Sequence, residues 1–240
     1  MSKPLAVLTG ASGNLCSVLL QRLLDGGYRV VAHSRTPPTA APPDRTPAAP
    51  DLDWVHGDLT DPATATNLAT PHINLLINNA ASQKTKPLLE LTPDDWQEML
   101  AATLMSAIYM VQTLAPHMPP GSAIVNISSI EAAHPFAGHA HYAAAKAALE
   151  SFTRSAALEL AGRQIRVNAV APGLIDRPGL ATDWPAGYTW WCKTSPLGRP
   201  ITAQEVTNAV MFLAESQSTG VNGVVLPVAG GRSAGELLSL

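Results

Sequence analysis

The amino-acid sequence predicts an α/β domain built on a doubly wound parallel sheet. Short apolar segments alternate with amphipathic helical segments along the chain, a pattern typical of parallel strands with helices on both faces. The chain has 240 residues, enough for one domain with a sizeable core, and we find no internal repeat or linker. We therefore predict that residues 1–240 form a single domain.

Each strand is predicted from a short apolar run. The first reads PLAVLT and the second YRVVA, which is rich in β-branched residues. The predicted strands are Pro4–Thr9, Tyr28–Ala32, Asp53–Gly57, Ile73–Asn78, Ala123–Ile127, Arg166–Val170 and Val224–Val228.

The helices are predicted from apolar spacing and from capping signals. Asn14–Asp25 has leucine and valine at helical spacing and ends before two glycines. Residues 92–95 read TPDD, which combines an N-cap threonine, a proline and first-turn acids, and residues 202–205 read TAQE, a capping box. The predicted helices are Asn14–Asp25, Asp61–Thr70, Thr92 to about His117, Tyr142–Leu160 and Thr202 to about Glu215.

A proline-rich segment interrupts this alternation at residues 36–50, with six prolines in fifteen residues. Proline lacks the backbone N–H and crowds the preceding turn, so it does not continue a helix. We predict an exposed, partly extended loop without a chemical role.

Composition limits the classes of partner and the compartment. The net charge of −3 gives no basic patch for nucleic acid or an anionic membrane, and only Cys16 and Cys192 are cysteines. The segment after Met1 lacks the apolar region of a signal peptide, and we identify no apolar stretch long enough to span a bilayer. The sequence thus predicts a cytoplasmic protein without nucleic-acid or membrane partners.

The stretch TGASGNLCS, Thr9–Ser17, joins the first strand to the first helix, where a helix N-terminus can bind a dinucleotide pyrophosphate. Gly10 suits the tight turn and Gly13 a close approach of the backbone. Asn14 and Cys16 stand where a second and a third glycine are expected. We predict that Asn14 adopts the left-handed backbone and donates to a phosphate, that Cys16 packs where helix meets strand, and that cofactor affinity is weakened.

An acid/base pair is predicted on the helix that begins near residue 142. Tyr142 and Lys146 are four residues apart and share a helix face. Because a nearby cation favours the phenolate, we expect the pKa of Tyr142 to fall from about 10 toward the working range of a catalyst. Ser129, just past a strand, is placed to hold a substrate oxygen.

The order of these motifs resembles the short-chain dehydrogenase/reductase family over essentially the whole chain. After the glycine loop come NNA at 78–80, ISS at 127–129, YAAAK at 142–146 and PG at 172–173. The resemblance implies a Rossmann-type sheet of about seven strands, a nicotinamide cofactor, and hydride transfer to or from a C=O or C=N group.

The resemblance also implies roles for individual residues. Tyr142 would be the general acid/base, Lys146 would bind the nicotinamide ribose, and Ser129 would orient the substrate. The implied cofactor-binding residues are Gly10, Ser12, Gly13, Asn14, Leu15, Ser34, Arg35, Asp58, Leu59, Asn79, Ala80, Tyr142, Lys146, Pro172, Gly173 and Ile175.

Several positions depart from the family pattern. Thr103 stands where an asparagine often supports a proton relay, and Arg177 replaces the usual threonine after PG. With Asn14 and Cys16 also altered, two alternatives to a reductase stay open. One is non-redox chemistry, such as dehydration or cyclisation, on the same scaffold; the other is dinucleotide sensing without turnover.

The end of the second strand predicts the choice of nicotinamide. An acidic residue there accepts from the ribose 2′-OH of NAD, whereas a nearby arginine accommodates the 2′-phosphate of NADP. Ser34 occupies the acidic position and Arg35 follows, with His33 as a further contact. We therefore predict NADP(H).

The substrate is predicted to be small and ring-shaped. A substrate-binding loop is expected at about 174–200, and it carries large aromatic residues that stack on flat molecules. Residues 149–174 also resemble the pteridine reductase branch, although that branch has an aspartate at Ser129 and an arginine at Asn14. A cyclic ketone, a quinone-like ring or an imine is equally open. The aromatic residues are Trp184, Tyr188, Trp190 and Trp191.

Three histidines, His134, His139 and His141, lie just before the catalytic tyrosine, and Glu131 is close in sequence. No cysteine or acidic cluster completes a metal site, so none is predicted. We expect one histidine to line the substrate entrance, or all three to lie in a surface loop.

The family also implies a homo-oligomer, either a tetramer or a dimer. The predicted helices at 92–117 and 142–160 are alanine-rich enough for close packing between subunits. This expectation rests on resemblance alone.

Overall fold

A computed structural model describes residues 3–36 and 50–235. Seven strands form one parallel sheet in the order β3-β2-β1-β4-β5-β6-β7. The predicted doubly wound, Rossmann-type sheet is therefore confirmed. The strands are β1 Leu5–Leu8, β2 Arg29–Ser34, β3 Leu52–His56, β4 Ile73–Asn78, β5 Ala123–Ile127, β6 Arg166–Pro172 and β7 Val225–Val228.

The helices begin where the capping signals place them. The side chain of Thr92 caps one helix and that of Thr202 another, each in a capping box with an acid three residues later. A π-helical turn, Ala101–Met105, joins α3 to α4. The helices are α1 Asn14–Asp25, α2 Pro62–Asn67, α3 Pro93–Leu100, α4 Ser106–Leu114, α5 Ala140–Leu160, α6 Leu180–Asp183, α7 Pro185–Thr194 and α8 Ala203–Ala214.

The sheet has an apolar core on each face. Helices α1 and α8 cover one face, where Leu19 and Val210 are fully buried. Helices α2, α4 and α5 cover the other, with Leu68 and Met110 in the core. Because both faces are covered, the central strands are mostly apolar and buried on both sides rather than alternating.

The segment predicted as a substrate-binding loop, 174–200, contains the two helices α6 and α7, so the loop prediction was wrong there. Pro185 opens α7, a position that proline favours. Gly187 and Trp191 lie four residues apart and are the buried residues of this helix. Residues 37–49 of the proline-rich segment lie outside the described residues.

One helical stretch is long and apolar enough to cross a membrane by length and composition. It runs for 25 residues from Pro93 to His117, so our expectation that no such stretch exists was too strict. Core helices of soluble proteins have the same properties, and α4 packs Met110 and Leu114 into the core beneath the sheet.

Candidate active site

The site lies where the strand order reverses, between β1 and β4. In open parallel sheets, ligands bind outside the carboxyl ends of the strands at such a point. The segments that follow β1, β4, β5 and β6 meet there, and they carry nearly all of the predicted site residues.

The glycine loop is joined to the segment after β4. The Thr9 hydroxyl accepts from the backbone N–H groups of Asn79 and Ala80, at 3.0 and 3.1 Å. The Asn79 amide donates to the carbonyl oxygens of Thr9 and Gly10, at 3.3 and 3.2 Å. Gly10 has φ of 65°, and a Cβ there would lie 2.9 Å from the Cα of Ala80. The turn therefore requires glycine at this position.

Asn14 does not replace a left-handed glycine, so that prediction was wrong. Gly13 is the extended N-cap of α1, and Asn14 begins the helix with ordinary backbone. The Asn14 Nδ2 instead donates to the carbonyl oxygen of Asp176, at 3.2 Å, which ties the loop to the segment after β6. Cys16 is fully buried, with Sγ 4.0 Å from the oxygen of Thr9, so its predicted place between helix and strand is confirmed.

Two predicted cofactor residues offer only their backbone. The side chains of Leu15 and Leu59 are buried in the two cores, whereas Ser12 is exposed at the loop. Asp58 lies at the same edge, and a hydrogen bond from the backbone N–H of Thr60 lowers its pKa. The positive charge of a nearby arginine, at position 35, acts in the same direction.

At the end of β2, Arg35 is the side chain that remains available to a phosphate. The Ser34 hydroxyl is buried, donates to a carbonyl oxygen at 2.8 Å and lies 3.0 Å from Nδ1 of His56. His33 Nε2 lies 3.0 Å from the carbonyl oxygen of Gly57, and burial lowers the pKa of this histidine. Its other ring nitrogen, Nδ1, accepts from the backbone N–H of Gly10 at 3.5 Å, so His33 supports the glycine loop.

The three predicted catalytic side chains converge. Ser129 follows β5, and Tyr142 and Lys146 lie on the first two turns of α5. The Ser129 hydroxyl lies near enough to the Tyr142 hydroxyl to lower the pKa of the tyrosine. The Lys146 ammonium lies 5.7 Å from the centre of the tyrosine ring and donates to the carbonyl oxygen of Ile127 at 2.6 Å.

The pKa of Tyr142 moves in the opposite direction from the one predicted. Burial raises it to about 12, which outweighs the hydrogen bond from Ser129 that lowers it. Burial also lowers the pKa of Lys146 to about 8. Desolvation dominates because both groups lie in the interior. Near pH 7 the tyrosine is thus protonated and can serve as a general acid.

Two further polar groups hold the surroundings of the site. Thr103 lies in the π-helical turn, and its hydroxyl accepts from the backbone N–H of Ser82 at 3.4 Å. Asn78 donates to Asn126, which donates to Thr153, each at 2.9 Å, so buried amides join β4, β5 and α5. Thr103 therefore supports the segment after β4 at the position where the family often has its asparagine.

The segment after β6, which we call the pocket wall, starts at the carboxyl edge of the sheet and contacts Asn14 of the glycine loop. Pro172 ends β6, and Ile175 pairs with Ile201 in an isolated bridge. A Cβ on Gly173 would lie 2.8 Å from the indole of Trp191, which is buried against it.

The predicted aromatic residues are divided between different roles. Trp184 packs on the backbone of Gly187 within its own segment. Trp190 and Trp191 instead meet Phe136 edge-on, with ring centres 5.7 and 6.4 Å apart. Phe136 and Trp191 also pack with Ile130, so this second group lies near the segment that carries Ser129.

Sequence reasoning missed the groups that surround the catalytic hydroxyl. The Gln83 side chain acts on Tyr142 and lowers its pKa, and Glu131 Oε2 lies 2.7 Å from Nδ1 of His139. The signal was their spacing, because Glu131 follows Ser129 by two residues and His139 precedes the tyrosine by three. His141 is buried, so the alternative that all three histidines lie in a surface loop was wrong.

Comparisons with known proteins agree on one family. The family model for enoyl-(acyl carrier protein) reductase matches residues 19–233. A 3-oxoacyl-(acyl-carrier-protein) reductase from Chlamydia pneumoniae is 37% identical over 161 residues, 66% of this chain and 65% of the relative. This match thus reaches just under two thirds of the relative's length.

Two further relatives match along almost their whole length. L-xylulose reductase from Mesocricetus auratus is 34% identical over 94% of this chain and 95% of its own. The crystal structure of a gluconate 5-dehydrogenase from Burkholderia cenocepacia, in complex with NADP and tartrate, superimposes with a TM-score of 0.87 at 28% identity, over 98% of this chain and 97% of that one. Fold, converging catalytic side chains and sequence matches lead to one conclusion: the chain belongs to the short-chain dehydrogenase/reductase family.

Proposed function

We propose that this chain is an NADPH-dependent oxidoreductase that reduces a C=O or C=N group of a small cyclic or aromatic substrate by hydride transfer. The observation that carries the proposal is the meeting of Ser129, Tyr142 and Lys146 at the carboxyl edge of the sheet, beside the glycine loop. The names of the relatives, which are reductases and dehydrogenases, support the reaction class.

The residues present fit a nicotinamide dinucleotide. No side chain caps the N-terminus of α1, and its first turn has no acid, so its N–H groups and the helix dipole suit a pyrophosphate. The exposed backbone of Ser12 and Gly13 would hold this group. Arg35 would pair with the 2′-phosphate and Lys146 would bind the nicotinamide ribose. The bound cofactor supplies the hydride.

Side chains of the protein would orient the substrate and transfer the proton. The Ser129 hydroxyl accepts from the backbone N–H of Glu131 at 3.2 Å, which leaves its own proton for the substrate oxygen. Tyr142, protonated near pH 7, donates its proton to that oxygen as negative charge develops. The ammonium of Lys146 favours the phenolate that results.

The support for NADPH and for a ring-shaped substrate comes from residues other than the three catalytic ones. Arg35 is exposed at the end of β2, and the gluconate 5-dehydrogenase was crystallised with NADP. The aromatic cluster of Phe136, Trp190 and Trp191 favours a flat ring. A pteridine substrate stays a prediction from sequence.

The proposal is tested by changing Tyr142 to phenylalanine. We expect kcat for carbonyl reduction with NADPH to fall about 10²- to 10⁴-fold because the general acid is lost. NADPH binding, followed by fluorescence titration, should stay within about twofold of wild type, since the ring remains. Unchanged turnover would remove Tyr142 from the mechanism. Cofactor binding by a wild-type protein that oxidises no NADPH with any carbonyl compound would favour sensing instead.

We also propose that the protein is a cytoplasmic homo-oligomer. Leu158 on α5 is 81% exposed and Phe212 on α8 is 42% exposed, and a partner subunit would cover them. Sedimentation velocity should give a dimer or a tetramer; a single species at the monomer mass would contradict this.

A further inference from the structure

A carboxylate–imidazole pair lies beside the catalytic tyrosine. Glu131 Oε2 and His139 Nδ1 are 2.7 Å apart, and the His139 ring meets the Tyr142 ring edge-on with centres 5.8 Å apart. The side chain of Glu131 is 11% exposed and that of His139 is 23% exposed. The pair is therefore largely enclosed, and part of the His139 ring remains accessible.

The pair is fixed from several directions. The backbone N–H of Glu131 donates to the Ser129 hydroxyl, and the nearby backbone N–H of Phe136 lowers the pKa of the Glu131 carboxyl. The loop that carries His139 is held where the backbone N–H of Lys86 donates to the oxygen of Gly138 at 2.9 Å. Glu131 thus contacts Ser129 through its backbone and His139 through its carboxylate.

The hydrogen bond to Glu131 determines what the imidazole offers. A carboxylate accepts the proton on Nδ1, so the neutral ring carries its lone pair on Nε2. Among the residues that the structure describes, none hydrogen-bonds to this second nitrogen. Nε2 can therefore accept a hydrogen bond from a ligand. The imidazole ring lies against the ring of Tyr142, the proposed general acid.

We propose that His139, held by Glu131, is a specificity-determining residue that accepts a hydrogen bond from a hydroxyl on the carbon next to the reducible carbonyl. This inference rests on the proposed function, because it presumes that Tyr142 and Ser129 hold the carbonyl oxygen. Because the rings of Tyr142 and His139 have centres 5.8 Å apart, a substrate whose carbonyl oxygen is held by the tyrosine would bring the carbon next to that carbonyl near the imidazole. The substrate class is thus an α-hydroxy ketone, its ring lying against the aromatic cluster of Phe136, Trp190 and Trp191.

The test compares 2-hydroxycyclohexanone with 2-methoxycyclohexanone, which has no hydroxyl proton to donate, at saturating NADPH. We expect wild-type kcat/KM to favour the hydroxy ketone at least about tenfold, because a polar site rejects an analogue that leaves it unpaired. The ratio should fall to near one in His139→Phe. In Glu131→Gln it should lie between these values, since the amide still accepts from Nδ1 without fixing the imidazole as firmly.

The matched control is His134→Phe, an exposed histidine on the same loop, which should keep the wild-type ratio. A ratio between two substrates does not change when part of the protein is unfolded, so it separates specificity from stability. If the wild type shows no preference, or His139→Phe keeps it, the inference is wrong while the reductase proposal stands. Reduction of other carbonyl compounds but of neither cyclohexanone would likewise overturn the inference alone. Failure to reduce any carbonyl compound overturns the proposed function itself.

Discussion

Arg35 is the residue on which the choice of cofactor depends. It follows the buried Ser34, whose hydroxyl already has partners, and it lies near the carboxylate of Asp58. Its charged group is exposed at the edge where the 2′-phosphate of NADPH would lie.

Changing Arg35 to aspartate should therefore reverse the cofactor preference. We expect the Kd for NADPH to rise at least about tenfold relative to that for NADH, because an ion pair is replaced by repulsion. Fluorescence titrations with both cofactors measure the ratio. Arg154→Asp, a charge reversal at an exposed arginine on α5, is the control. An unchanged ratio in Arg35→Asp would contradict the assignment.

Lys146 is an example of a catalytic group that opposes stability. Its ammonium is buried, and burial lowers its pKa to about 8 from the 10.5 of the unfolded chain. Between these values the unfolded chain binds the additional proton, so this lysine adds stability as the pH rises from about 8 and destabilises the fold most below it.

Changing Lys146 to methionine should thus raise the Tm at pH 7 while abolishing activity. The gain should shrink as the pH rises from 8 to 10, because the wild-type lysine then folds uncharged; the lost hydrogen bond to Ile127 opposes the gain throughout. Thermal unfolding of both proteins between pH 6 and 10 measures it. A Tm difference that does not change with pH would show that charge burial is not the cause.

For individual residues, the sequence predicted the side chains that carry out the chemistry. It did not predict the contacts and pKa shifts that depend on tertiary packing. Ser129, Tyr142 and Lys146 followed from motif order. The direction of the tyrosine pKa did not, because helical spacing brings Lys146 close but does not report desolvation. One of the three histidines was expected to line the substrate entrance. The pairing of His139 with Glu131 was not predicted, since a loop rather than a helix brings them together.

Among the elements, α1 and the pair α6–α7 are linked by one side chain. The Asn14 amide donates to the Asp176 oxygen, just before α6, and this contact crosses from the glycine loop to the pocket wall. The glycine loop and the pocket wall are therefore connected by a direct hydrogen bond.

Asn14→Ala should loosen the wall. We expect backbone amides in 176–194 to exchange with solvent several-fold faster, because one end of the segment loses its attachment. Hydrogen-exchange mass spectrometry measures this. Gln21→Ala is the control, since that amide bonds only within α1, to Asp25. Equal protection in both variants would show that the tether has no effect.

Element boundaries were predictable where a cap marks them. Thr92 and Thr202 fixed two helix starts, and the two glycines after Asp25 fixed an end. The helices α6 and α7 were missed because four aromatic residues in the segment suggested a binding loop, whereas Gly187 and Trp191 form a buried helical face. The spacing of Gly187 and Trp191 was visible in the sequence, but the aromatic residues were interpreted as substrate contacts rather than as a packing surface.

For the whole molecule, the alternation of strand and helix was sufficient to predict the architecture. Right-handed crossovers between parallel strands allow few arrangements, and the covered faces account for strands that are mostly apolar on both sides. The site then follows from topology, since the carboxyl ends of β1, β4, β5 and β6 meet. What topology does not supply is the substrate, which depends on side chains from loops such as the one that carries His139.

The π-helical turn at Ala101–Met105 determines where the helical stretch that leads into α4 can lose one residue. Such a turn is an α-helix with one residue inserted, accommodated without rotating the helix that follows. Removing a single residue there would restore a regular helix with α4 still facing the sheet, at the expense of the contact between Thr103 and Ser82. A deletion a few residues to either side would instead turn Met110 and Leu114 away from the core. This short turn is thus the place in the long helix where the chain can be shortened by one residue and still pack.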